Sequence, residues 1–248
     1  MDGGDSLQAF AAKWRAVWPE QTVLDLFVPP AQRLPAAAWA SLLFELHSAA
    51  FTLEHEAVRD GKTGWWSDEL QRLQDGAPRH PLTQALADVD APFAAMAAPM
   101  LAVVRDVPIL AGDTAALLAR LRPFAEAVSA CEAAVFASRA RAADADALVA
   151  EWLVLRLPDG LAAFDRGMLP FHLRARYAAF ADNAPPPGLR RDWLVELDAA
   201  LPRTTAGNWF REAQRRFLRR RIRALAIDSG VRPGPGHVWD AWRAVRLR

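Results

Sequence analysis

Trp65-Trp66-Ser67-Asp68-Glu69-Leu70, followed by Gly76-Ala77-Pro78-Arg79-His80-Pro81, decides how this chain reads. The paired tryptophans open a stretch whose apolar residues recur at helical spacing. Gly76 and Pro78 end it, because glycine tolerates a left-handed turn and proline cannot continue a helix. Pro81 then supplies a preset φ for the first turn of the next helix, where a missing N–H costs nothing.

The same signature extends outward in both directions. Apolar residues keep helical spacing almost everywhere, strand formers rarely cluster, and Pro and Gly fall between periodic stretches instead of at hairpin spacing. The spacing predicts helices over 6–17, 35–59, 64–75, 81–88, 92–106, 114–139, 144–165, 170–182, 190–201, 205–228 and 236–246. Asp113 or Thr114 caps the long helix after Gly112, and the Pro-rich stretches 183–188 and 230–236 are loops. Neither loop is long enough for a domain linker, and no internal repeat is visible. The fold expected is all-α, a single helical bundle spanning residues 1–248.

Composition narrows the class. At 52% apolar and 24% charged, the 248-residue chain is globular. A net charge of +1 argues against bulk capture of nucleic acid. Among 30 basic residues only Lys13 and Lys62 are lysines, a bias of GC-rich bacterial codon usage. The single cysteine, Cys131, excludes an internal disulfide and sits among alanines as a small core residue. The acidic, polar start carries no signal-peptide pattern, and the longest uncharged run, Ala91 to Val104, is too short to span a membrane. The expectation is a cytoplasmic protein that can sit peripherally at the inner membrane.

The Trp65–Pro81 stretch resembles a landmark of the squalene/phytoene synthase family, whose members join two isoprenyl diphosphates head to head. Further matches are Ala50-Phe51-Thr52-Leu53-Glu54 with Val58-Arg59, the step Leu155-Arg156 with Asp159, and Arg166-Gly167-Met168-Leu169-Pro170. Together they cover roughly residues 30–180 and leave 184–248 as a basic helical extension. The resemblance implies the isoprenoid (trans-prenyl diphosphate) synthase fold. It also implies a largely apolar central cleft, with the helix of Phe51 and Glu54 facing the helix of Leu153 and Arg156.

Condensation of this kind needs magnesium held by carboxylates to stabilise the departing diphosphates. Two carboxylates four residues apart share a helix face, so Asp-x-x-x-Asp on each of two facing helices builds the cage. Here the first motif keeps only Glu54, and the second supplies only Asp159 and Asp165, six apart and on different faces. The pattern is similar to the aspartate-lacking branch that includes complex I assembly factor 6-like proteins, and that branch is implied to act by binding. The candidate pocket residues are Phe51, Glu54, Trp66, Arg156, Asp159 and Arg166, with no catalytic and no metal-ligating set. His47 and His55 lack a third ligand at sensible spacing. Each candidate also has a plain reading: Trp65 and Trp66 as packing, Glu54 on a wet face, Arg156 and Arg166 in salt bridges.

Between Phe210 and Arg223 seven arginines oppose one acidic residue, Glu212, with Phe210, Ala213, Phe217, Ile222 and Leu225 forming an apolar stripe. Arg215, Arg216, Arg219 and Arg220 are candidates for an anionic membrane surface, against the alternative of a docked helix with a solvated basic face.

Three functional readings follow. The first is a non-catalytic synthase-like protein that binds an isoprenoid, a lipid or a protein partner, without cofactor. The second is an active prenyltransferase with magnesium and carboxylates from Glu45, Glu54, Asp159 and Asp165. The third is a basic helical adaptor, favoured if the bundle has no central cavity; nucleic acid is the least supported partner.

Overall fold

The computed structural model describes residues 3–105, 111–157, 168–177, 187–204, 207–227 and 231–246. Among these residues the chain is all-helical, with no strand. The α-helices are α1 (Gly3–Val17), α2 (Gln21–Asp25), α3 (Arg33–His47), α4 (Glu56–Gln74), α5 (Pro81–Gln84), α6 (Ala97–Arg105), α7 (Thr114–Val135), α8 (Ala142–Leu155), α9 (Phe171–Arg176), α10 (Pro187–Ala200), α11 (Trp209–Ala226) and α12 (Pro235–Val245).

The antiparallel hairpin of α7 and α8 forms the spine. Its sequence explains this: α8 is apolar nearly all round, and Ala145 through Leu155 bury every residue except Asp146. Helix α1 packs on α3, α4 packs on α6 and α6 on α7, while α11 lies on α8 and is flanked by α10 and α12. Trp18, Trp39, Trp66, Phe93, Phe124, Phe210 and Phe217 fill the interior with almost no exposure. Cys131 is fully buried there, and burial pushes its thiol up to about 12, so it is inert at neutral pH.

Most helices expected from the spacing are present, with one consequential difference. The helix expected over 35–59 is two helices. The α3 helix widens into a π-helical turn over Ser48–Thr52, and the backbone then becomes extended at Leu53 and His55 before α4 starts at Glu56. Thr52 Oγ1 donates to the Ser48 carbonyl, and the buried Arg59 sends Nη1 to the Leu53 carbonyl at 3.4 Å, so the break is held by side chains. The break expected near Asp60 to Thr63 is absent, and Gly61 and Gly64 lie inside α4. Tertiary packing there outweighs the weak helix propensity of glycine. The short helix α2 was not expected from the spacing at all. Its Gln21 bonds Trp14, Asp25 and Gln214 through its side chain.

Candidate functional site

The landmark around Trp65 is a structural clasp. Helix α4 ends in a Schellman turn: Ala77 N donates to the Arg72 carbonyl at 2.8 Å, Gly76 N donates to Leu73 at 3.2 Å, and Gly76 sits at φ +74°. The next turn is then tied back onto the helix it left. Glu69, fully buried, accepts from Arg79 N at 2.7 Å, His80 N at 2.8 Å and Thr83 Oγ1 at 2.5 Å, with Arg72 beside it. Burial would raise its pKa, but these donors overcome that and hold the carboxyl below its ordinary range. His80 caps α5 through Nδ1, and its ring lies edge-on to Trp66 at 4.9 Å and Trp65 at 5.7 Å. Trp66 therefore closes the clasp and is not shown lining a pocket.

The helices expected to face one another do meet. Phe51 lies 5.7 Å from Trp152, and His47 Nε2 donates to the Trp152 carbonyl at 3.1 Å. Beside this contact runs a slot of only about 10 Å³, lined by His47, Glu151, Trp152, Phe210, Arg211 and Gln214, among others. It is narrow and part polar, unlike the apolar cleft expected. Glu54 is not in it. The carboxylate sits in the extended break after the π turn and is exposed to solvent, because that break carries it off the helix that holds Phe51. Arg156 caps the end of α8, and its charge acts on His47. Asp159 and Arg166 lie outside the described residues, as does Asp165.

What fills the centre is an ion cluster around Arg211. Its Nε and Nη2 bind both oxygens of Glu132 at 3.0 and 2.5 Å, and its Nη1 binds Glu151 at 2.6 Å. Trp39 Nε1 and Asn208 Nδ2 complete the shell of Glu132, at 2.9 and 3.0 Å. Burial opposes the Arg211 charge, but the two glutamates more than offset it and hold its pKa above the ordinary value. Burial raises Glu151, and raises Asp144 to about 6. Among the described residues no group of three or more His, Cys, Asp or Glu is placed to hold a metal ion.

These residues carry a signal that a reading for motifs passes over. Glu132 and Glu151 are lone carboxylates inside apolar runs, Cys131–Ala134 and Ala147–Leu155, where an unpaired charge is costly. Arg211 and Arg221 fall within the apolar arc of their helix.

The arginine-rich helix α11 does not present a free basic face. Arg215 is buried against Glu212, Arg216 bonds Glu212 and Asp240, Arg219 bonds Asp198, and Arg220 bonds Asp240. Arg221 reaches Glu20 at 2.7 Å over the Trp18 ring, and Arg223 lies 3.9 Å from Asp198. The candidate anionic-membrane surface at Arg215, Arg216, Arg219 and Arg220 is therefore not made of free charges: carboxylates on α10, α11 and α12 already pair with these arginines.

Two groups at the centre titrate in opposite senses. Burial lowers His47 from 6.5 to about 4, and burial raises Asp144 from 3.8 to about 6. The folded chain thus binds the His47 proton poorly, so that stability is present above 6.5 and is lost as the pH falls toward 4. For Asp144 the sign reverses: its contribution is present below 3.8 and is lost as the pH rises through 6. The two largely cancel in the native chain. Asp144→Asn is expected to raise stability at pH 7 by about 1–2 kcal/mol and to leave it unchanged near pH 4. Urea unfolding at the two pH values measures this, and an equal effect at both would contradict it.

No family model, no curated protein and no solved structure matches the chain.

Proposed function

We propose that this chain is a helical protein that works by binding a partner at its surface, the adaptor reading that a filled centre favours, with its squalene/phytoene synthase-like features kept as scaffold and no condensation of isoprenyl diphosphates in its interior. One observation carries the reading. The space between the Phe51 helix and α8, where the family resemblance would place substrates, adjoins Arg211, locked by Glu132 and Glu151, and leaves a slot of only about 10 Å³. Two long prenyl chains with their diphosphates need far more room and an anion-binding metal cage.

The runner-up, an active prenyltransferase, would draw on Glu45, Glu54, Asp159 and Asp165, of which the last two lie outside the described residues. Glu45 is already neutralised by Lys13 at 3.6 Å and Lys62 at 3.3 Å, and Glu54 points to solvent. Thermal unfolding with increasing farnesyl diphosphate and magnesium tests the proposal. No saturable rise in Tm is expected, since a ligand that binds only the folded state must raise it. A saturable, magnesium-dependent rise would overturn the proposal.

A further inference from the structure

Helix α12 has two unlike faces. His237, Asp240, Ala241 and Ala244 turn inward against α11, and Asp240, the only carboxylate of the helix, is buried and bonded to Arg216 and Arg220. The opposite face carries Val238, Trp239, Trp242, Arg243 and Arg246, at spacings of three and four that place them in one stripe. Trp239 is 54% exposed although it is the largest apolar side chain available. Its ring stacks on Trp242 at 4.8 Å, and the Arg246 guanidinium lies 3.8 Å over Trp242. Large exposed apolar groups grouped with cations mark a docking surface.

We infer that α12 docks the protein on an anionic lipid bilayer, with Trp239 and Trp242 at the interface and Arg243 and Arg246 on the headgroups. Tryptophan favours that boundary because its ring is apolar and its N–H polar. Charge selects the occupant. The stripe carries two arginines and no carboxylate, so a second copy would set like charges against each other. Nucleic acid would accept the rings and arginines but gain little from the exposed Val238, whereas acyl chains bury such an aliphatic group. The inference is independent of how the interior is read.

The test is co-sedimentation of the full chain with phosphatidylcholine vesicles, with and without phosphatidylserine. The wild type is expected to sediment with the anionic vesicles, less so as salt rises. Trp239→Ala/Trp242→Ala should cut partitioning at least about tenfold, and Arg243→Gln/Arg246→Gln about fivefold per arginine. Trp239→Glu, at the more exposed ring, is a second variant, and unchanged thermal unfolding of each variant confirms that the fold survives. No sedimentation by the wild type, or equal sedimentation by the tryptophan variants, would overturn the inference. Capture of an acidic protein by this face without vesicle binding would overturn it in favour of a protein partner.

Discussion

Arg211→Met is expected to lower stability by about 3–5 kcal/mol, enough to unfold a typical domain at moderate urea concentration. The cause is what the change leaves behind. Glu132 loses two guanidinium bonds and Glu151 loses its 2.6 Å partner, and both carboxylates lie in the protein interior. Methionine fills much of the volume but offers no donor, so the glutamates must take up protons or draw in water. The loss should therefore shrink as the pH falls, because protonation of Glu151 becomes easier in the variant. Adding Glu151→Leu should recover part of the loss, giving a double variant more stable than the sum of its two single changes. Urea midpoints of the four proteins measure this coupling. Additive losses would mean that the two side chains do not act as one cluster.

Glu69→Ala is the second large effect, expected at about 3 kcal/mol. It strips the acceptor from two backbone N–H groups and from Thr83 Oγ1, all within the clasp. Glu69→Gln should cost less, because one oxygen remains to accept while the charge-assisted strength is lost. If the clasp instead lines a binding site, Glu69→Gln would leave unfolding unchanged and alter ligand affinity. Chemical unfolding of both variants separates the cases.

How far the sequence led can be followed at particular residues. The helical class, the turn at Gly76 and the start at Pro81 were legible because proline, glycine and apolar spacing act locally. Phe51 does touch Trp152, as the expected meeting of their helices requires, although Glu54 does not share that helix. The break at Leu53–His55 was not, since nothing in Leu-Glu-His announces it; it is fixed by Arg59, which reaches back from the next helix. The arginines of α11 misled for a related reason. Arg211 is paired with residues 79 and 60 positions away, and Arg221 with one 201 positions away. A local count of charge sees seven cations and one anion, whereas the fold supplies the missing carboxylates from α7, α8, α10, α12 and the residues before α2. The tryptophans of α12 were equally hard to read, because spacing places them on a stripe without saying whether that stripe faces the core.

The central claim is that this bundle works by binding a partner at its surface and does not condense isoprenyl diphosphates. Incubating the purified chain with geranylgeranyl diphosphate and magnesium, then analysing the extract for diphosphate-free hydrocarbon and the medium for released diphosphate, tests it most directly. The account expects the substrate to be recovered unchanged, with neither product above a protein-free control. Accumulation of a head-to-head hydrocarbon with matching diphosphate release would contradict it.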